Sequence, residues 1–252
     1  IFWNPTDHAD LAGLPYSVVQ EALIEGLIRA AADFGIMGRL IPSVDRSLPP
    51  ERAVGMVSEV LDNPSPFTLG IGIDYLESDG QPESFWKAFR LAHEGGLRCT
   101  AHAGEDGSHP RSIETCLDLL HCSRIDHGYT VLQDEVLTRR CMEDGVVFNV
   151  VPSNSHYCQV LEGQDWSKVH PIRHMMDRGL KLTIGSDDPP LHFTDPGWCY
   201  VEMVKKFGAT LDDVRGFVAN SIDAAWVPET LKQEWRKEWL SEFDDKRNAL
   251  SL

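Results

Sequence analysis

The chain has 252 residues and a formal net charge of −16, enough length for one large domain with a full core. That acidity argues against nucleic-acid partners and anionic membranes, both of which need basic surface, and leaves a small-molecule cleft open. No apolar run approaches the roughly 18 residues of a membrane span. Six cysteines lie scattered without a CxxC pair, which reads as reduced, mostly buried thiols of a cytoplasmic protein with no secretory leader.

The opening "IFWNPTDH" reads as the end of a strand followed by a loop. A helical pattern over "YSVVQEALIEGLIRAAADFG" stops at Gly35, and short apolar runs follow at Arg39–Pro42 and Leu69–Ile73. The helical stretch "PESFWKAFRLAHEGG" stops at Gly95-Gly96 and leads to a strand over Arg98–His102. Further strands are expected at Arg124–His127, Val146–Val151 and Lys181–Ile184, separated by "DEVLTRRCMEDG" and "VHPIRHMMDRG". The terminal glycines supply left-handed caps. From Thr210 onward the chain reads as helices packed on the outside, with the tryptophans of "WRKEW" at helical spacing as packing residues. Seven strands alternating with helices predict a parallel sheet with right-handed crossovers, either a closed (β/α)₈ barrel or a doubly wound sheet. No GxGxxG or GxxxxGK[ST] follows any strand, which removes the main support for a nucleotide-binding sheet. No internal linker is visible, so residues 1–252 read as one domain.

Ionisable residues stand just after the apolar runs: Asp74, His102 with Glu105, Asp126 with His127, Asn154 with His156, and Asp187 with Asp188. In a parallel barrel all strand C-termini open on one mouth, so such residues converge. Taken singly each has a plainer reading. An isolated HxxE is more often a solvated loop glutamate, although Gly104 can release the chain from strand alternation and swing Glu105 round. His127 reads equally as a base or as a buried histidine bonded to backbone. Adjacent carboxylates at Asp187 and Asp188 repel and lose hydration, a cost that a cation relieves, against the alternative of a proline-led acidic turn. His156, Tyr157 and Cys158 lack a motif that would make the thiol a nucleophile. With no GxSxG, HExxH or PCxxC present, histidines and carboxylates together point to metal-assisted hydrolysis.

The ordered motifs "IFWNPTDH", "TAHAGE", "RIDHGY", "VPSNSHYC" and "HPIRHMMDRGLKLTIGSDDP" resemble the adenosine/adenine deaminase family of metal-dependent hydrolases, from residue 1 to about 230. The resemblance implies a (β/α)₈ TIM barrel with one Zn²⁺ at the strand ends. It implies replacement of the 6-amino group of a purine by oxygen, with loss of ammonia. It implies His102 and Asp187 as zinc ligands, Glu105 as the acid that protonates ring nitrogen N1, His127 as the residue that orients or deprotonates the attacking water, and Asp188 as its hydrogen-bonding neighbour. Glu105 is then expected to be protonated when it donates, in an apolar, partly dry site. Asp74, Glu77 and Gly104 become expected purine contacts, with Glu77 at the place where the adenine-deaminase branch carries a glutamate. The stretch "PPLHFTDPGW" matches neither branch, and His192 and Phe193 are expected to shape a different pocket.

The family's two other zinc ligands lie in an HxH on strand one, and this chain has ten histidines but no HxH. We therefore expect a barrel lacking its first strand, with that segment missing or supplied as a separate N-terminal fragment. The small-molecule partner expected is a 6-aminopurine, adenine or adenosine, with a homo-oligomer as a further possibility. Two other readings remain: another metal-dependent amide or ester hydrolase on the same barrel, and a non-catalytic barrel without a complete metal site.

Overall fold

The structure is a computed structural model that describes residues 1–250. Its seven strands are β1 (Phe2–Trp3), β2 (Ile41–Asp45), β3 (Gly70–Asp74), β4 (Arg98–Ala103), β5 (Arg124–His127), β6 (Val147–Val150) and β7 (Lys181–Ile184). They follow one another in sheet order as in sequence, the arrangement that successive right-handed β-α units generate. By internal packing the chain divides into two compact units, Ile1–Ile125 and Asp126 onward, the boundary falling inside β5.

In the first unit β1, β2, β3 and β4 pair in parallel. β2 runs three residues beyond the expected Arg39–Pro42. Pro42 withholds one ladder donor but sits opposite Trp3 at the short β1 pairing, so the proline does not end the strand. Every residue of β2 is buried, as expected for a parallel strand covered on both faces. The helix Tyr16–Phe34 ends on Gly35 at φ 69°. The expected 82–94 helix begins as a 3-10 turn, Pro82–Phe85, and continues as Trp86–Glu94. Its left-handed residue is Gly96 at φ 80°, whereas Gly95 has φ −77°. A further helix, Pro50–Asp62, lies between β2 and β3. Val57, Ile71, Ile73, Phe85, Phe89 and Ala101 make the core, each large apolar side chain contributing about 1.5–3 kcal/mol by burial.

In the second unit β6 pairs with β7 in parallel, from Val147↔Lys181 to Val150↔Ile184. The helix Glu135–Asp144 starts under an Asp134 cap that accepts from the Val136 and Leu137 N–H groups, and stops at Gly145 with φ 67°. The helix Leu211–Ala224 opens with a reciprocal Thr210–Asp213 capping box, which satisfies two orphan donors at once. Asn220 Nδ2 from that helix donates to the Leu182 carbonyl at 3.0 Å and ties it to β7. The last helix, Glu229–Ala249, buries none of its residues. Trp235 and Trp239 stack on each other there at 4.7 Å. Cys99, Cys116, Cys122, Cys141 and Cys199 are buried, as the composition suggested. Among the described residues no helix is long and apolar enough to cross a membrane.

Candidate metal and proton-transfer site

Because the ladders of the first unit are parallel, the C-terminal ends of its strands open on one side. Asp45 of β2 pairs directly with Asp74 of β3. Asn4, the residue after β1, donates through Nδ2 to Asp74 Oδ1 at 3.1 Å. The His102 ring meets Phe2 edge-on, with centroids 5.0 Å apart. Burial pushes the Asp74 carboxyl up to about 6, and nearby His102, a Ser43 hydrogen bond and Arg46 pull in the opposite direction. The sequence pointed to Asp74 and His102 but not to Asn4 or Asp45.

Beyond β4 the chain turns as expected: Gly104 has φ 71°, a conformation that costs glycine little. Glu105 is half-buried. Glu77 is buried, and its carboxylate is filled by four donors. Oε1 accepts from Gly104 N at 3.0 Å and Ser112 Oγ at 2.7 Å. Oε2 accepts from Glu105 N at 2.8 Å and Ser108 Oγ at 2.7 Å. Arg46, whose side chain is fully buried, stands with Nη1 3.9 Å from Glu77 Oε1 and donates through Nη2 to the His102 carbonyl at 2.6 Å. Arg46, Ser108 and Ser112 were not singled out in sequence. The signal for Arg46 was its place just past the apolar run of β2, the same criterion that selected Asp74.

In the second unit His127 ends β5 buried and at φ 69°, followed by Gly128 at φ 75°. Asp187, past the end of β7, is also left-handed, at φ 56°. A ring nitrogen of His127 and a carboxylate oxygen of Asp187 lie within 4.8 Å of each other. Asp126 is buried and accepts from Asn149 Nδ2 at 3.3 Å, while Thr183 Oγ1 donates to Asn149 Oδ1 at 3.1 Å. Asp187 and Asp188 are both exposed. Mutual desolvation therefore does not explain the pair, and it is the closeness of the Asp187 carboxylate to the His127 ring that favours a cation. Asp188 precedes the short helix Pro189–His192 without capping it through its side chain.

The remaining sequence candidates do other work. Asn154 caps the helix Ser155–Val160 by accepting from Tyr157 N. His156 is exposed and meets Tyr157 edge-on. Burial pushes the Cys158 thiol up from its ordinary value, the wrong direction for a nucleophile. His192 Nε2 is 3.3 Å from Ser155 Oγ. Phe193 is 94% exposed, so it does not wall the pocket that was expected of it.

Donors suited to a metal ion are His102 at the end of β4 and the His127–Asp187 pair. Imidazole nitrogen and carboxylate oxygen are ordinary zinc ligands, and the absence of thiolates among them fits a catalytic more than a structural zinc site. By chemistry, these residues fit the ion that the motifs imply.

The family model described as adenosine deaminase matches residues 1–242. The chain is 34% identical over 242 residues to an adenine deaminase of Rhodospirillum rubrum, covering 93% of this chain and 68% of that protein. It is 32% identical over 238 residues to an adenine deaminase of Caulobacter vibrioides, covering 93% and 66%. It thus spans about two thirds of the length of these relatives. Among solved structures, a zinc-bound amidohydrolase from Burkholderia ambifaria is 46% identical with a TM-score of 0.97, covering 99% of this chain and 69% of that one. The adenine deaminase of Arthrobacter aurescens is 26% identical with a TM-score of 0.89, covering 97% and 73%. The fold is α/β, of the (β/α)₈ TIM-barrel class. The matched family model, the curated relatives and the strand-end donors agree: this chain belongs to the adenosine deaminase family.

Proposed function

We propose that the protein carrying this chain is a zinc-dependent aminohydrolase of a 6-aminopurine, yielding the 6-oxo product and ammonia, with adenine the leading substrate. The single barrel domain read from the sequence is part of this proposal. The observation that carries the reading is the His127–Asp187 pair, two donors within 4.8 Å on left-handed backbone. The names of the R. rubrum, C. vibrioides and A. aurescens proteins favour adenine, and the zinc of the B. ambifaria structure favours that metal.

Asp187 and His102 are the proposed ligands. A zinc ion bound there supplies Lewis acidity and brings a water pKa toward neutrality. His127 accepts the proton of the attacking water, and Asp188 orients that water by accepting a hydrogen bond. Glu105 donates a proton to ring nitrogen N1, which makes C6 electrophilic toward the attacking water; the C6–O bond forms, the proton held by His127 passes to the amino group, and the C6–N bond breaks to release ammonia. Asp74 is the proposed purine contact, able to accept a hydrogen bond when ionised and to donate one when protonated; burial raises its carboxyl to about 6.

The test uses the full-length gene product. Zinc content is measured, and adenine and adenosine are followed by ultraviolet absorbance and ammonia release. Turnover of adenine with bound zinc supports the reading. Bound zinc without ammonia from any aminopurine replaces it with an amide or ester hydrolase, and zinc well below one per chain in folded protein replaces it with a non-catalytic barrel. Glu105→Gln should keep zinc and lose about 100-fold or more in turnover; near-normal rates would remove the proton-donor role.

A further inference from the structure

The segment His102–Glu105 is gripped at both ends by two buried, oppositely charged residues. Gly104 in left-handed conformation and Glu105 turn consecutive N–H groups to one side, the kind of concavity that ordinarily takes an anion. Here the anion is part of the chain. The two Glu77 oxygens take one N–H each, and the Ser112 and Ser108 hydroxyls occupy the remaining acceptor sites. A carboxylate has about four such sites, so Glu77 has none left for a ligand. Arg46 closes the other end through the His102 carbonyl and neutralises Glu77 from 3.9 Å. Each charge offsets the desolvation of the other, a balance that fails if one is removed. Gly80 lets the Glu77 loop lie against Arg46, because a Cβ there would fall 2.2 Å from the Arg46 carbonyl oxygen.

We propose that Glu77 and Arg46 are positioning residues for Glu105. They fix the peptide from the His102 carbonyl to the Glu105 N–H, and with it the direction in which the Glu105 carboxyl leaves the backbone. This rests on the proton-donor role proposed for Glu105. It replaces the purine contact that the family resemblance assigns to Glu77.

The experiment is Glu77→Gln in the full-length protein, with zinc content, kcat, KM for adenine, and amide exchange at Gly104 and Glu105 as readouts. An amide must turn its NH₂ toward donors that the carboxylate had satisfied, so the two amides should exchange faster. A proton donor displaced by about 1 Å costs about 100-fold. The expected result is kcat down by about that factor, with zinc retained and KM within about threefold of wild type. Arg46→Lys should recover part of the activity that Arg46→Met loses. A raised KM at unchanged kcat would make Glu77 a substrate contact and overturn the proposal, as would unchanged kcat despite faster exchange. If Glu77→Gln does not fold, Ser108→Ala withdraws one donor without stranding a charge. It should lower kcat by about tenfold, and an unchanged kcat again overturns the proposal. Absence of adenine turnover in the wild-type protein sinks the deaminase reading instead. In that case unaltered exchange at Gly104 and Glu105 in Glu77→Gln still removes the proposed grip.

Discussion

His127 and Asp187 present donor atoms within 4.8 Å of each other, and both do so from left-handed backbone, at φ 69° and 56°. Such a conformation costs a residue with a Cβ about 1–3 kcal/mol, a cost that two neighbouring donors share. Asparagine tolerates it best among polar side chains, so His127→Asn removes the imidazole with little backbone penalty. Turnover should fall by about 100- to 10,000-fold while circular dichroism and the unfolding midpoint stay near wild type. A comparable fall in stability would mean that His127 serves the fold and not the chemistry.

Gly128 continues the left-handed run at φ 75°, and a Cβ there would sit 2.1 Å from Phe148 Cδ1. Gly128→Ala therefore adds a conformational cost of about 1–2 kcal/mol to overpacking of about 1–3 kcal/mol. Urea unfolding should show a loss of about 2–5 kcal/mol, the sum of these costs. A variant as stable as wild type would show that β6 yields more easily than its burial implies.

His170 gives the second unit an acid-sensitive point. It is fully buried, and burial, assisted by His174, brings it down to about 3. Its Nδ1 accepts from Ile172 N at 3.1 Å. A folded value below the unfolded one means that the unfolded chain binds the extra proton. The stabilisation is complete above pH 6.5 and is lost as pH falls toward 3, at about 1.4 kcal/mol per unit. Between pH 7 and 4.5 wild type should lose about 2–3 kcal/mol by this route. His170→Asn keeps a cap acceptor and cannot titrate, so its stability should depend less on pH over that range. Equal pH dependence in the two proteins, read from urea midpoints, would exclude His170 as the source.

Chelation provides a check on the proposed ligands that does not depend on turnover. A metal that binds only the folded protein stabilises it by mass action. A chelator should lower Tm in the wild-type full-length protein and lower it much less in Asp187→Asn. The same drop in both would place the metal elsewhere.

All seven strands were legible because short runs rich in apolar residues alternate with helical patterns, and the strand-end rule then found His102, His127 and Asp187. What failed to show has physical reasons. Pro42 made β2 look shorter than it is, so Asp45 and Arg46 were not recognised as strand-end residues. A buried arginine is rare enough that its place just past the apolar run of β2 did not bring Arg46 forward. Ser108 and Ser112 matter only through the Glu77 carboxylate, 31 and 35 residues away in sequence, and no local pattern encodes a contact at that range. Glu77 was noticed for its chemistry, but its being saturated by hydrogen bonds is a property of three dimensions.

The left-handed ends of β5 and β7 also restrict the vocabulary of substitution. Backbone at φ 69° and 56° admits glycine freely, asparagine, aspartate and histidine with modest strain, and β-branched residues hardly at all. A metal or proton-transfer role independently demands an imidazole or a carboxylate, which removes glycine and asparagine. Two unrelated filters, one steric and one chemical, thus overlap in only two residue types, and the chain uses both. Drift at these positions is confined to a very small alphabet, so random libraries there should return few functional clones, nearly all with the same letters.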